Sequence, residues 1–562
     1  MKNLKFNRLL VMSDTLKAGN QFQFQNKLNL IKATDNSVGK STLVKLIFWT
    51  LGCDPYFDST WKNFDCKAKL LFSIDTIDYS VYRYKNQIKF QTEDGKLVEY
   101  DKISGDYSLM LNGLLDFKVL LPNKKSNKLE SPPPAYYFTP YYIDQKKSWS
   151  EAWNNFERLA QYASWKMSVI GFHIGTLTPE YFTIQEKLYE NKGQLSELDE
   201  ELNKLDTATE IINSYVPETN STIVESKFME MTAEIKENLS SLAKDQEELL
   251  DKITFYQGDK SYLSQQIQIS RSIISQLEKD YQFAVENVDF ETFECPLCGI
   301  EHENSVVNRS SILTDKQIAE EQLINLESEN QKLETKIAKS NLKLTEARNA
   351  IRRLNEKYQV SAIDDKNVYT NIIETIASNS LRDKIRGSQD VKIIKEKELK
   401  KDNRDLRKQQ KELDTEERRE KLDTFFNSQF SKYVKLLDAE SVNISNINKP
   451  SDHAKIVKEG GAADGNRAVL GYYITIFRMI QEFGSEVVSP FVIDTPNQNE
   501  QSLDNYDKVI KLIGTELSNS QIFLCAMENE QIASLESEAN IIELTKDKLL
   551  LKENYELVKS QM

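Results

Sequence analysis

Leu28-Asn29-Leu30-Ile31 reads as an apolar strand, Thr34-Asp35-Asn36-Ser37-Val38-Gly39-Lys40-Ser41-Thr42 as a loop, and Leu43 to Leu51 as a helix. That order is the setting a phosphate-binding loop requires. Backbone N–H groups of Asn36, Ser37, Val38 and Gly39, with those at the helix N-terminus, would cradle phosphates; Lys40 would place a point charge on the β- and γ-phosphates, and the Ser41 hydroxyl, with Thr42 beside it, would reach Mg²⁺. Thr34 stands where the motif has its first glycine. The bland alternative is an ordinary strand-to-helix turn.

Some 450 residues further on, Phe491-Val492-Ile493-Asp494 is an apolar strand ending in a carboxylate, suited to hold the Mg²⁺ shell. The two ends of the chain are therefore expected to share one nucleotide site. Between them, Gly460-Gly461-Ala462-Ala463-Asp464-Gly465-Asn466-Arg467 precedes an apolar stretch from Ala468 to Phe483 and takes the place of an ABC signature loop. In that reading Asp464 caps the helix, and Asp464, Gly465 and Asn466 face the γ-phosphate held by a second molecule. A flexible glycine-rich loop before a core helix is the alternative. Gln145, in Tyr141-Tyr142-Ile143-Asp144-Gln145-Lys146-Lys147, sits where a Q-loop would run and adds a third Mg²⁺ contact.

Two catalytic positions depart from that pattern. Thr495 follows Asp494 where a catalytic glutamate usually stands, leaving Gln498 and Glu500 as the nearest groups to polarise water. The last strand, Ile522-Phe523-Leu524-Cys525-Ala526, is followed by Met527 and Glu528 and not by a switch histidine. Slow hydrolysis is the expectation.

From about residue 180 the apolar period becomes seven. Leu188, Leu195 and Leu202 alternate with Leu198, Leu205 and Ile212, and after a break holding Pro217 the sevens resume at Phe228 and run to Leu263. A second seam runs through Leu323, Asn330, Ile337, Leu344 and Ile351. The two stretches are nearly equal and flank Cys295-Pro296-Leu297-Cys298, which favours an antiparallel hairpin over a parallel homodimeric rod. An uninterrupted arm would reach on the order of 160 Å at 1.5 Å per residue. Cys295 and Cys298 supply two thiolates where a structural zinc wants four ligands. A second chain's pair, His302 within this chain, or no metal at all each complete the account.

Composition fits this picture. Of 562 residues 28% are charged, with only 18 Gly and 12 Pro, so much of the chain should be helix. Mean hydropathy is -0.55 and no apolar run nears twenty residues, so neither a membrane partner nor a span is expected, and the location read from this is cytoplasmic. Five scattered cysteines do not look like a disulfide framework. Net charge is -14, yet Lys124, Lys125, Lys128, Lys146, Lys147 and the run Lys392–Lys411 offer local phosphate contacts, or are simply solvated. From about residue 4 to 100 an antiparallel lobe is predicted, with a strand from Tyr82 to Phe90 and a hairpin turn at Asp94-Gly95.

The resulting fold class is an α/β ABC-type ATPase head assembled from residues 1–178 and 426–562, with coiled-coil arms at 179–290 and 312–425 and a zinc-hook apex at 291–311. Split head, equal arms and apical Cys-Pro-Leu-Cys together resemble the SbcC-type branch of SMC-like ATPases over essentially the whole chain. The Tyr141–Gln145 segment and Ile493-Asp494-Thr495-Pro496-Asn497-Gln498 look most like the SMC-like subunits of Lamassu anti-phage defence systems. The resemblance implies ATP, Mg²⁺ and Zn²⁺ as cofactors. It also implies a dimer joined at heads and hook that senses double-stranded DNA and controls a separate nuclease effector, with a small accessory subunit as a further partner. DNA repair or condensation is the alternative role, and a scaffold that binds ATP without turning it over is a second.

Overall fold

The computed structural model describes residues 2–33, 35, 38–58, 61, 65–124, 128–215, 233–286, 292–294, 301–303, 306–357, 368–456, 462–496, 502–544 and 549–562. They form two compact units: Met1–Tyr189 with Asp405–Met562, and Glu190–Arg404. Thr34, Asn36, Ser37, Lys125, Pro217, Cys295, Cys298, Gly460, Gly461, Gln498 and Glu500 lie outside the described residues.

Among the described residues, the first unit holds a six-stranded and a five-stranded sheet, besides a short hairpin of Leu121–Pro122 with Leu129–Glu130. Strands β1 (Leu4–Ser13), β2 (Ala18–Gln23), β4 (Cys66–Ile74), β5 (Ile77–Tyr84), β6 (Gln87–Gln91) and β7 (Leu97–Tyr100) make an antiparallel sheet in the order β2-β1-β4-β5-β6-β7. The run Tyr82 to Phe90 is two strands, not one. Lys85 adopts a left-handed φ of 54° and turns the chain, pairing Tyr84 with Gln87. The two-residue turn puts Val81 and Arg83 on one buried face with Ile88 and Phe90, and Tyr82 and Tyr84 on the other, so the buried face shifts from odd to even positions at the turn.

The second sheet is parallel throughout, in the order β8 (Tyr142–Ile143), β9 (Phe491–Asp494), β10 (Ile522–Met527), β3 (Leu28–Ala33), β11 (Asn540–Glu543). The N-terminal strand β3 is thus flanked on both sides by C-terminal strands. Separating the two chain ends would leave β3 without either neighbour's backbone hydrogen bonds. Helix α1 (Lys40–Thr50) buries Leu43, Val44, Leu46, Ile47 and Phe48, and Phe48 meets Phe6 of β1 at 6.4 Å between ring centroids. Phe6 in turn meets Phe523 of β10 at 5.8 Å, so one aromatic cluster joins the two sheets. Fully burying each such ring contributes roughly 1.5–3 kcal/mol.

Four long helices follow α2 (Asp106–Leu114) and α3 (Trp165–His173): α4 (Pro179–Tyr215), α5 (Ala233–Glu286), α6 (Val306–Lys357) and α7 (Val368–Leu413); the second unit contains α5, α6, α4 from Glu190 on and α7 up to Arg404. Helices α4 and α7 run antiparallel: Glu201 meets Lys392, Asp206 meets Gln389 and Asn213 meets Arg382. So do α5 and α6, through Lys260–Glu334 at 2.8 Å and Arg271–Glu327 at 2.7 Å. The arms are not, however, two helices laid end to end. Lys204 of α4 reaches Asp259 of α5 at 3.0 Å, and a buried cluster of Ile212, Leu250, Ile253, Leu344, Ala377 and Leu381 draws on all four helices. Helix α5 therefore doubles back beside α4, and the straight reach of 160 Å does not apply. Heptads specify that an apolar seam is covered; they do not specify which helix covers it.

Candidate functional site

Helix α1 starts at Lys40 with Gly39 as its N-cap residue, at a φ of 110° that only glycine adopts without strain. A Cβ on Gly39 would also come within 3.3 Å of Leu549. The Lys40 ammonium donates to the Asp35 carbonyl at 3.1 Å and lies 3.0 Å from the Met527 sulfur, and its burial lowers its pKa. One residue on, the Ser41 hydroxyl lies 2.8 Å from Asp494 Oδ1 and 3.1 Å from Gln145 Oε1. Two residues more than a hundred positions away in sequence thus converge on the Ser41 hydroxyl. The register of the parallel sheet explains it: β3 ends level with β10, whose Cys525 pairs with Asp494 at the end of β9.

Asp494 is fully buried, and burial pushes its carboxyl up to about 6 against the opposing pull of Lys45 and Ser41. Among the described residues its Oδ2 has no hydrogen-bond partner. An unpaired buried carboxylate oxygen costs stability unless something charged completes it. A hard divalent cation with oxygen ligands from Ser41, Gln145 and Asp494 fits that donor set. Lys45, one turn beyond Ser41, pairs with the buried Asp144 at 3.5 Å and donates to the Tyr56 carbonyl at 3.0 Å. Asp144 is further held by backbone N–H groups of Lys146 and Lys147 at 2.8 and 3.2 Å. The segment around Gln145 is thus tied to α1 by an ion pair and to β9 by the Trp149 indole, which donates to the Asp494 carbonyl at 3.2 Å. Sequence reading missed Lys45 and Asp144; an aspartate just before Gln145 and a lysine inside an apolar helix were the available signals.

Thr495 sits at a φ of 58°, unusual for a β-branched residue and strained by roughly 1–3 kcal/mol. Its hydroxyl donates to Asp494 Oδ1 at 3.2 Å and its N–H to the Cys525 carbonyl at 3.1 Å. Around these groups opens a cleft of about 860 Å³, lined among others by Gly39, Lys40, Ser41, Thr42, Gln145, Thr495 and Met527. That volume admits a nucleotide.

The signature segment departs from expectation. Helix α9 (Ala462–Phe483), which follows α8 (Glu416–Leu436), begins six residues before Ala468, so Asp464 lies inside its first turn and caps nothing. Asp464 is paired with Arg467 at 2.5 Å and accepts from the Ser441 hydroxyl, while Gly465 and Asn466 are buried. Arg467 also donates to the Asp438 carbonyl at 2.7 Å, closing the helix start against its neighbours. Strands Thr292–Glu294 and Glu301–Glu303 pair antiparallel on either side of the two cysteines, with Phe293 opposite His302. Among the described residues no group of three or more His, Cys, Asp or Glu side chains is placed to hold a metal ion. Nor is any helix among them long and apolar enough to cross a membrane.

No protein-family model matches the chain. It is 23% identical over 582 residues to Lamassu protein LmuB of Bacillus cereus (strain VD014), an alignment taking in 99% of this chain and 97% of that protein. A Lamassu protein LmuB of another Bacillus strain is 22% identical over 563 residues, with 96% of each chain covered. Solved structures with some likeness are the Smc head domain with coiled coil and joint from Pyrococcus yayanosii, at TM-score 0.34 and 12% identity over both whole chains, and the recombination mediator RecF with ATP, at TM-score 0.28, 9% identity and 98% and 97% coverage.

Proposed function

We propose that this chain is an SMC-like, ABC-type ATPase that senses double-stranded DNA in a Lamassu-type defence system and controls a separate nuclease effector. The observation that carries the reading is the meeting of Ser41, Gln145 and Asp494 at one point beside the Lys40 loop. It is supported by relatives of the Lamassu LmuB name aligned along almost the whole chain. In this reading ATP lies on the loop of residues 36–42, Mg²⁺ on Ser41, Gln145 and Asp494, and water is polarised by Gln498 or Glu500. When bound, Mg²⁺ would neutralise phosphate charge; Asp494 and Gln145 orient it, and Lys45 keeps the two buried carboxylates from repelling each other.

DNA contact is assigned to one face of α7. Lys397, Lys401, Arg404, Lys408 and Lys411 recur at spacings of three and four, all exposed, opposite the face that buries Leu399. Such a stripe matches a phosphate backbone and loses affinity steeply with salt. Zinc held by Cys295 and Cys298 of two chains would join two copies at the apex, and closure of two heads over ATP would place the Asp464 to Asn466 segment against the partner's nucleotide.

A second reading, a scaffold that binds ATP and does not turn it over, is favoured by Thr495 and Met527 at the two positions where catalytic groups usually stand. One experiment addresses both: ATP turnover and nuclease activity of the chain purified with its chromosomal neighbours, with and without linear DNA. DNA-stimulated turnover and nuclease activity support the sensor. ATP binding without turnover at any DNA concentration supports the scaffold.

A further inference from the structure

The lining of the cleft is of two kinds. One is polar: Ser41 and Gln145 meet the buried Asp494, and Lys146 beside Gln145 pairs with Asp58 at 2.6 Å, with Phe57 and Trp61 also on the lining. The other is apolar: Leu16, Val38, Leu549 and Leu550. A triphosphate whose terminal phosphate meets Ser41 and Gln145, and whose α-phosphate meets the helix N-terminus near Thr42, directs its nucleoside away from them.

Leu549 and Leu550 reach the cleft because the last residues of the chain form a strap across β1 and β2. Gly19 and Leu551 exchange backbone hydrogen bonds at 3.0 Å each, and Asn20 donates to the Leu549 carbonyl at 3.1 Å. Further along, the Tyr555 hydroxyl donates to Asp14 at 2.8 Å, while Tyr555 and Val558 pack on Leu10 and Met12. Leu549 thereby presses on the loop glycine, Gly39. Leu16, on the β1–β2 turn and also on the lining of the cleft, remains 42% exposed.

We infer that the C-terminal strap is part of the nucleotide site: the base of the bound nucleotide is held between Leu16 and Leu550, with Leu549 setting the loop against which the phosphates lie. This rests on the nucleotide-binding reading above. The strap is anchored by backbone pairing and by Tyr555, so its leucines stand in place before any ligand arrives. A planar base would remove the two leucines' apolar surface from water. Each carboxylate placed there should cost about tenfold in affinity.

The test measures binding of ATP and of inorganic tripolyphosphate, each with Mg²⁺, by calorimetry for the wild-type chain, Leu16→Asp and Leu550→Asp. Leu16 is exposed and its substitution should leave the fold intact, which thermal unfolding checks independently of Leu550. The expected result is a loss of about tenfold or more for ATP in both variants, with tripolyphosphate affinity unchanged within about twofold. Wild-type ATP affinity in both variants would overturn the inference while leaving the phosphate loop standing, and loss of ATP binding in Phe57→Ala instead would put the base against Phe57. A wild-type chain that binds neither probe would overturn the nucleotide site itself and the strap's role with it.

Discussion

The nucleotide cleft and the four-helix unit are built on opposite terms. In the cleft a few atoms carry everything: one lysine, one hydroxyl, two buried carboxylates and a glycine at positive φ, each fixed by strand register and by a hydrogen bond or ion pair. In the helical unit many interchangeable apolar contacts share the load, and exposed ion pairs such as Lys260–Glu334 add little, about 0–1 kcal/mol each. Damage to the first should therefore remove function and spare the fold. Damage to the second should do the reverse.

The largest expected effect is at Lys40. Lys40→Ala deletes a charge aimed at phosphates and no core contact, so ATP affinity should fall by more than tenfold with the melting temperature of the first unit unchanged, as calorimetry and thermal unfolding would read. Next comes Ile253→Ala, which empties part of the buried cluster shared by the four helices. It should destabilise the helical unit by roughly 2–4 kcal/mol while leaving ATP affinity within about twofold of wild type. An unfolding curve unchanged by this substitution would mean that α5 does not double back as described.

The smallest effect is one of pH. Asp494 has its pKa raised to about 6 in the folded chain from 3.8, so the folded state holds that proton more tightly than the unfolded state does. Its contribution is therefore a cost, fully present above pH 6 and vanishing as pH falls from 6 toward 4. In metal-free protein, the stability of wild type relative to Asp494→Asn should fall by roughly 2–3 kcal/mol between pH 4 and pH 7. A difference that is flat with pH, measured by denaturant titration, would mean that Asp494 is not held in that environment.

The same contrast governs what could be read from the sequence. The start of α1 at Lys40 after Gly39 and the strand Phe491–Asp494 were legible because their residue types mark a strand-loop-helix order and an apolar strand ending in a carboxylate. Lys45 and Asp144 were not, because a buried ion pair between distant segments leaves no local pattern. The start of α9 was misjudged for a related reason: Ala462 to Arg467 looks like a loop by its glycines, yet Asp464 and Arg467 pair one turn apart and Arg467 binds the Asp438 carbonyl, which fixes the helix early. The strand break at Lys85 was hidden because apolar residues keep to even positions from Tyr82 to Phe90, although the turn puts Tyr82 and Tyr84 on the face opposite Ile88 and Phe90. In the helical unit, period seven announced long helices, while the choice among possible neighbours was set by packing at Ile212, Leu250 and Leu381.

The central claim is that the two ends of the chain build one Mg²⁺–nucleotide site through Ser41 and Asp494. ATP affinity measured with and without Mg²⁺, for wild type and for Asp494→Asn, tests it most directly. The account expects Mg²⁺ to strengthen ATP binding at least tenfold in the wild type and hardly at all in the variant, whose metal-free affinity should be retained because Lys40 and the loop are untouched. An Asp494→Asn chain that keeps the full Mg²⁺ effect, or a wild-type chain that binds no ATP, would contradict it.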